Sequence, residues 1–263
     1  MSELKISRRD FLKYAGLTGG GILVAKLFAS GRVSPLDAVD AVASDAASAA
    51  QSKHRWAMVI DQGKCIGCNY CTYACKAVND IPGEAQWNTV SVEGQTTKGP
   101  TYLPRQCMHC ENAPCVEVCP VKATFHRADG LIAMDYGKCI GCRYCEIACP
   151  YGARVFDWQD PTKLQNSYVP KWGVPEIPRR PRGIVEKCTF CAHRIDRGLA
   201  GGQMPGVDRE ATPACVNACP VGARLFGDLN DPQSLVSQAL AKRRSFRLRE
   251  DLGTNPRVYY LSA

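Results

Sequence analysis

Three kinds of signal that would indicate other functions are missing from this sequence. Near the N terminus only twelve residues separate Lys13 from Lys26, so an uninterrupted stretch of about 20 apolar residues for a membrane-spanning helix is lacking there. No nucleotide-binding fingerprint, flavin motif or nucleophile–base pair is recognisable, so nothing indicates an enzyme that works through these groups. Cysteine makes up about 6% of the chain, below the roughly 8–10% that is typical of a short disulfide scaffold.

The sixteen cysteines occur in four groups of four, and none lies outside these groups. The first and third groups, CIGCNYCTYAC (65–75) and CIGCRYCEIAC (139–149), have the same spacing. The second group, CMHCENAPCVEVCP (107–120), has a longer second gap, and the fourth is divided between CTFC (188–191) and CVNACP (215–220). Every group ends in C-x3-C, and a proline follows in three of the four. The sequence therefore contains one motif four times, with variations.

This spacing is typical of proteins that bind iron–sulfur clusters. The run C-x2-C-x2-C-x3-C-P binds 4Fe–4S clusters, and its fourth cysteine ligates the other cluster of a pair. Cysteines two residues apart on a tight loop let their thiolates converge on neighbouring irons, and glycine at positions 67 and 141 suits such a bend. The C-x3-C step predicts a helical turn that directs the last thiolate away from the others. Four groups therefore predict two pairs of clusters.

Two other interpretations of the cysteines remain open from the residues alone. An even number of cysteines in an exported protein is compatible with a disulfide framework. Zinc sites also use C-x2-C pairs, although four zinc sites would leave the position of each third cysteine unexplained.

The N-terminal residues form a separate signal. SRRDFLK (7–13) contains two consecutive arginines followed by a weakly apolar stretch, and it looks like a twin-arginine export signal. Candidate A-x-A cleavage sites lie at residues 41–43 and 47–49, and a frayed amphipathic helix is the alternative. We expect residues 1–50 to be a signal and linker and the mature protein to be periplasmic. If this N-terminal segment is not cleaved, it could anchor the chain at the membrane surface.

Several longer motifs accompany the cysteines: CKAVNDIPG (75–83), QCMHCENAPCVEVCP (106–120), KCTFCAHRI (187–195), TPACVNACPVGARLFGDLNDPQS (212–234) and TNPRVYYL (254–261). With them, the chain from about Trp56 onward resembles the four-cluster ferredoxin-type subunits of molybdopterin oxidoreductase and membrane quinone-reductase complexes. These include the iron–sulfur subunits of dimethyl sulfoxide reductase, polysulfide reductase, menaquinone reductase and cytochrome-linked nitrite reduction. The family also tends to lack a proline at the position of Lys76.

The resemblance implies crossed ligation, in which each cluster takes three cysteines from one group and its fourth from another. We number the implied ligand sets by the group that supplies three thiolates. Set 1 is Cys65, Cys68, Cys71 with Cys219; set 2 is Cys107, Cys110, Cys115 with Cys149; set 3 is Cys139, Cys142, Cys145 with Cys119; and set 4 is Cys188, Cys191, Cys215 with Cys75. Four 4Fe–4S clusters are expected, and a 3Fe–4S centre at one set stays open because an available thiol can go unused.

The resemblance also implies an α+β fold built from two nested ferredoxin-like modules with a C-terminal tail. We expect an outer module at residues 56–100 plus 184–230, an inner module at 101–156, a proline-rich arm at 157–183 and a C-terminal segment at 231–263. Residues 126–138 read as a turn and strand that close the inner module, and TVSVEG (89–94) reads as a strand. Apolar spacing within residues 232–250 predicts a helix.

The formal net charge of the chain is +8 at pH 7 with the cysteines counted as neutral. Four cubes of charge about 2+ held by sixteen thiolates would contribute about −8 and bring the chain close to neutral. No nucleic acid partner is therefore expected. Lys64, Lys138 and Lys187 each precede the first cysteine of a group and are candidates for local charge compensation.

The four histidines give weaker signals than the cysteines. His109 lies between Cys107 and Cys110, where the group already supplies its thiolates, so hydrogen bonding or exposure is favoured over ligation. His54, His126 and His193 have no partners at ligand spacing.

Sixteen thiolates for four clusters leave no iron with an open position for a substrate, which metal catalysis requires. We therefore expect an electron-transfer subunit that is not itself an enzyme. The resemblance implies that it relays electrons in a respiratory complex between an integral membrane quinone-reactive subunit and a periplasmic partner, a molybdopterin-type subunit and/or a multihaem cytochrome c. The alternatives are a free periplasmic polyferredoxin and a zinc or disulfide binding module.

Overall fold

A computed structural model describes residues 53–97, 99–156 and 158–262 of the chain. The strands are β1 (Trp56–Asp61), β2 (Asn88–Thr96), β3 (Gly99–Gln106), β4 (Thr124–His126), β5 (Ile132–Met134), β6 (Arg154–Phe156), β7 (Val185–Lys187), β8 (Arg224–Asp228), β9 (Ser245–Phe246) and β10 (Val258–Leu261). The α-helices are α1 (Tyr70–Val78), α2 (Pro114–Glu117), α3 (Tyr144–Ile147), α4 (Ala192–Ala200), α5 (Ala214–Asn217) and α6 (Leu235–Lys242), and 3-10 turns lie at Pro161–Lys163 and Glu250–Leu252. The mixed helix and strand content confirms the predicted class.

Antiparallel strand pairs connect each cysteine group with the next. The β2–β3 pair joins the first group to the second, β4–β5 joins the second to the third, and β6–β7 joins the third to the fourth. β1, which precedes the first group, pairs with β8, which follows the fourth. Each cysteine group therefore lies between two strand pairs. The pairing of β1 with β8 brings the segment before the first group next to the segment after the fourth group. The nested arrangement of two modules stays a prediction.

The largest sheet has the strand order β8–β1–β10–β9, with β1 and β10 parallel. Every residue of β1 is buried, because its alternate side chains are covered on both faces. Met58 and Ile60 belong to the core that contains eight of the sixteen cysteines, whereas Val59 packs with Val236 of α6 and with Leu261. The C-terminal strand β10 thus lies inside the sheet, although the sequence suggests a tail.

Several local predictions can be compared directly with the structure. The strand expected at residues 89–94 lies within β2, and residues 126–138 contain the β4–β5 turn and strand β5. Within residues 232–250 the helix is limited to α6, whose first turn is capped by the Ser234 hydroxyl accepting from the Ser237 N–H at 3.2 Å. These predictions are confirmed, and the helix is shorter than its predicted range.

The proline-rich arm is held against helices α1 and α4. Its Glu176 N–H donates to the carbonyl of Val78 at 2.9 Å, and the Glu176 carboxylate accepts from Arg194 and Arg197 of α4. The Tyr168 ring stacks on Tyr73 with centroids 5.1 Å apart. These contacts hold the arm in place, and its only helical element in the described residues is the 3-10 turn at Pro161–Lys163.

The described helices include none that is both long and apolar enough to cross a bilayer. The twin-arginine motif at 7–13, the candidate cleavage sites and the whole signal and linker region 1–50 lie outside the described residues.

Candidate iron–sulfur sites

The C-x-x-C loop of each group contains a residue with positive φ immediately before its second cysteine. The φ angles are +70° at Gly67, +44° at His109, +68° at Gly141 and +54° at Phe190. A Cβ atom built on Gly141 would lie 2.1 Å from the carbonyl oxygen of Gly183. The loop of the third group therefore requires glycine for space, and its left-handed conformation favours glycine, whereas the second and fourth groups hold larger side chains in the same strained region.

We expect Gly141→Ala to impair cluster binding at set 3 and to destabilise the protein by at least about 1–2 kcal/mol, the cost of a left-handed conformation for a residue with a Cβ. The matched control is Gly152→Ala, which has φ +59° but no atom within 4 Å of the added Cβ. Both variants place a Cβ in a left-handed conformation, but only Gly141→Ala also brings it against Gly183. The difference between the two variants in iron content and in thermal unfolding therefore measures the effect of the steric clash. Equal stability and equal iron content in both would show that the backbone near Gly183 can move aside.

The second half of each group forms a helical turn, as the spacing predicts. Cys71, Cys115, Cys145 and Cys215 lie in α1, α2, α3 and α5, and the fourth cysteine of each group lies four residues further on. The Sγ atoms of Cys119 and Cys219 accept from the N–H groups of Ala123 and Ala223, both at 3.2 Å. Hydrogen bonds to ligand sulfurs are one of the factors that set cluster potentials.

The thiols of sets 1 and 3 each surround a small, mostly apolar cavity. Cys65, Cys68, Cys71 and Cys219 line one of them, together with Val90 and Arg224. Cys119, Cys139, Cys142 and Cys145 line the other, together with Thr124 and Met134. In both cavities the fourth thiol comes from a different group, as crossed ligation requires.

Within set 2, and likewise within set 4, the thiols are close enough to shift one another's pKa. Burial raises the pKa of Cys110 to about 12, and negative charge on Cys107, Cys115 and Cys149 acts in the same direction. Burial also raises the pKa of Cys75, with further increases from Cys188, Cys191 and Cys215 and a smaller one from Cys71 of its own group. The side-chain amide of Asn79 contacts Sγ of Cys75 at 3.8 Å and Sγ of Cys191 at 3.7 Å.

The donor set fits clusters better than single ions. All sixteen cysteines are free thiols, so the described residues contain no disulfide framework. Within the described ranges, no three His, Cys, Asp or Glu side chains are grouped closely enough to hold one metal ion. A single zinc would need four ligands at about 2.3 Å, whereas thiols around a cavity suit a group of several irons. The four ligand sets themselves stay a prediction.

Burial differs between the sets. In set 4 all four cysteines are buried, and in set 2 only Cys149 is partly exposed. In sets 1 and 3 most cysteines are partly exposed and Cys142 is exposed. Sets 1 and 3 therefore lie near solvent, while sets 2 and 4 are shielded within the protein.

Six lysine or arginine side chains are buried in the described residues, and three of them, Lys187, Arg154 and Arg224, contact an atom of a cysteine. Lys187 is one of the three lysines suggested by the sequence, whereas Lys64 and Lys138 are exposed. Sequence reasoning missed Arg154 and Arg224, although both occur in the repeated pattern C-P-x-G-A-R after a fourth cysteine. Burial opposes the charge of each arginine, but the neighbouring thiolates outweigh it and raise the pKa of both. For Lys187 burial dominates and lowers the pKa.

His109 is a fully buried hydrogen-bond acceptor, which confirms the first of the two roles that the sequence favoured. Its Nδ1 accepts from the N–H of Ile132 at 3.0 Å, and its ring stacks on Phe190 with centroids 3.9 Å apart. Burial lowers its pKa well below the usual value, so the ring is neutral.

Comparisons with known proteins agree with the chemistry of the cysteines. Two family models, both described as 4Fe-4S dicluster domains, match residues 100–165 and residues 64–123 with 138–223. The match at 100–165 covers the second and third cysteine groups. In the other match, residues 64–123 cover the first and second groups, and residues 138–223 cover the third and fourth groups.

Three similar proteins illustrate the relationship. The menaquinone reductase iron-sulfur cluster-binding subunit of Nitratidesulfovibrio vulgaris is 42% identical over 230 residues, which cover 80% of this chain and 89% of the relative. The arsenate respiratory reductase iron-sulfur subunit of Shewanella sp. is 38% identical over 239 residues, 79% of this chain and 96% of the relative. An Hdr-like menaquinol oxidoreductase iron-sulfur subunit of Archaeoglobus fulgidus is 35% identical over an alignment 282 positions long, which covers 97% of this chain and 97% of the relative.

Proposed function

Because the chain belongs to the 4Fe-4S dicluster family, we propose that it is the electron-transfer iron–sulfur subunit of a membrane-associated oxidoreductase complex. The observation that carries this proposal is the arrangement of sixteen free thiols in four groups, with two sets of four around small cavities. Such a donor set leaves no iron position for a substrate, so the chain has no turnover of its own. Its role is to accept electrons from one partner and deliver them to another.

We propose four 4Fe–4S clusters, one at each of sets 1 to 4. The clusters supply one-electron redox chemistry when bound, and the chain supplies thiolates, hydrogen bonds and a shielded environment. The family match and the sixteen cysteines support several clusters, and the grouping of thiols in space supports the crossed ligand sets.

The shared helices support a linear order of the sets, 1–4–2–3. Helix α1 carries Cys71 of set 1 and Cys75 of set 4, while α2 and its following residues carry Cys115 of set 2 and Cys119 of set 3. Sets 4 and 2 meet where Phe190 stacks on His109. We therefore propose that electrons enter and leave at the two partly exposed sets, 1 and 3.

The exposed apolar side chains near these two ends support docking of partners there. Ile66 beside set 1 is 56% exposed, and Ile140 and Tyr144 beside set 3 are 63% and 59% exposed. We propose an integral membrane quinone-reactive subunit at one end and a molybdopterin-type subunit and/or a multihaem cytochrome c at the other. Nucleic acid is not among the proposed partners.

The cellular location and the module boundaries are also proposals. Export to the periplasm by the twin-arginine route rests on residues 7–13. The nested arrangement places the inner module at 101–156 and the outer module at 56–100 plus 184–230, and the family match at 100–165 supports the inner one.

We expect protein purified without oxygen to contain about 12 to 16 iron atoms per chain, since four cubes would hold about sixteen and one centre can be incomplete. Reduction should produce paramagnetic cluster signals without turnover of any substrate by the isolated chain. Iron and sulfide analysis with electron paramagnetic resonance measures both. Zinc in place of iron would refute the proposed function. Isolation of the native complex distinguishes a bound subunit from a free polyferredoxin, which would have the same spectra but no stable partners.

A further inference from the structure

Three buried cations among the cysteines are not neutralised by acidic side chains. The exposed fractions are 3% for Arg224, 0% for Lys187 and 4% for Arg154. The oxygen atoms that they contact belong to the side-chain amides of Gln106 and Asn88, the Thr124 hydroxyl and backbone carbonyls, and none of the three pairs with a carboxylate of the described residues. A buried charge without a counter-charge is strongly unfavourable. Each cation therefore needs an anionic neighbour of another kind.

Arg224 lies between sets 1 and 4. Its side chain lines the cavity that the four thiols of set 1 surround. Its Nη1 atom is 3.9 Å from Sγ of Cys215, which belongs to set 4. Arg224 thus lies beside both sets.

Arg154 lies between sets 2 and 3. Its Nη2 atom is 2.9 Å from Sγ of Cys115, a member of set 2. The same guanidinium contacts Thr124 Oγ1 at 2.9 Å and Met134 Sδ at 3.2 Å, and both residues line the cavity of set 3. The position of Arg154 relative to sets 2 and 3 therefore parallels that of Arg224 relative to sets 1 and 4.

Lys187 lies between sets 4 and 2. Its ammonium group donates to the carbonyl of Cys188 at 2.9 Å and to the carbonyl of Ile132. The N–H of Ile132 donates to His109, the residue between Cys107 and Cys110 of set 2. Since His109 also stacks on Phe190, the loops of the two sets meet beside this lysine.

We propose that Arg224, Lys187 and Arg154 each stabilise the reduced state of the two clusters that flank them, so that neighbouring clusters can be reduced together. This inference rests on the proposed function, because it requires clusters at the four sets. A cluster with four thiolates carries about 2− when oxidised and about 3− after it gains one electron. Like charges on adjacent clusters repel, and a cation between them attracts both, more strongly after reduction. The linear order 1–4–2–3 then has one cation in each of its three gaps.

The decisive variant is Lys187→Met, which removes the charge and keeps a similar chain length. We expect the equilibrium constants for one-electron reduction of the centres at sets 4 and 2 to fall at least tenfold, which is about 59 mV in potential for each. The centres at sets 1 and 3 should change by less than about twofold. Potentiometric titration followed by electron paramagnetic resonance gives the four potentials, and cysteine variants of each set assign the signals.

The matched controls are Lys64→Met and Lys138→Met. Both lysines hold the same position before a first cysteine, but both are exposed to solvent. Neither control should shift any centre by more than about twofold. Equal shifts in all four centres, or no shift at sets 2 and 4, would overturn the inference while leaving the proposed function intact. Absence of iron from the unmodified protein would instead refute the proposed function.

Iron content must be measured for every variant, because loss of a cluster would imitate a loss of signal. If Lys187→Met does not retain its clusters, Lys187→Gln removes the charge but keeps a donor for the two carbonyl groups. Arg224→Gln and Arg154→Gln provide independent tests, with paired shifts at sets 1 and 4 and at sets 2 and 3. Variants with full iron content but without this pairwise pattern would contradict the proposal.

Discussion

Removal of iron by an anaerobic chelator should abolish cooperative unfolding of the whole region from Cys65 to Cys219. Eight of the sixteen cysteines belong to one core cluster with Trp56, Phe190 and Tyr260, so the cluster sites and the apolar core overlap. Helices α2, α3 and α5 have four residues each, and such short helices are not stable without tertiary contacts. The free energy of binding at these sites is therefore folding free energy.

The buried cations increase the loss of stability that we expect after iron is removed. Without anionic clusters, Arg154, Lys187 and Arg224 would remain buried with no counter-charge, at a cost of several kcal/mol each. A typical domain is stable by only about 5–15 kcal/mol, so the apo chain should lose its native packing. Near-ultraviolet circular dichroism and calorimetry measure this loss, and the untreated protein is the control. An apo protein with a native-like cooperative transition would contradict the prediction.

Substitution Cys75→Ser should change the redox centre of set 4, although Cys75 lies more than a hundred residues before Cys188 in the sequence. The physical reason is the position of its thiol, because the side-chain amide of Asn79 lies 3.8 Å from Sγ of Cys75 and 3.7 Å from Sγ of Cys191 in set 4. Cys188→Ser should alter the same centre. Because set 4 lies inside the proposed linear order, both variants should interrupt electron flow between the partners.

Electron paramagnetic resonance during potentiometric titration would follow each centre separately. The signals of sets 2 and 3 should persist in both variants, since their eight cysteines lie between Cys107 and Cys149. Cys65→Ser is the matched control and should alter the centre of set 1. If Cys75→Ser changed the centre that Cys65→Ser changes, the groups would be self-contained and crossed ligation would be wrong.

The local features of the sites were predictable because they depend on short spacings. The C-x3-C step predicted a helical turn at Cys71, Cys115, Cys145 and Cys215, and all four form. Glycine at 67 and 141 predicted a tight loop, and both residues have positive φ. The same reasoning did not predict that His109 and Phe190 adopt this conformation too, because their side chains give no local preference for it.

Burial of charge could not be predicted from the sequence in the same way. Lys64, Lys138 and Lys187 have equivalent positions before a cysteine, yet only Lys187 is buried. Its burial depends on Ile132 and on the contact between the loops of His109 and Phe190, which are far apart in sequence. The repeated G-A-R pattern could have indicated Arg154 and Arg224, but not which thiols they approach.

The sequence by itself determined the number and grouping of the thiols, the turns that carry them and the family, because cluster-binding loops are short and their spacing is fixed by the geometry of the ligands. Only the tertiary structure decided which groups approach one another, which sets lie near solvent and where the three cations lie. Those features depend on strand pairing and core packing between distant segments, such as β1 with β8 and β10. Such contacts form only where the whole chain offers complementary surfaces, so a local pattern cannot specify them.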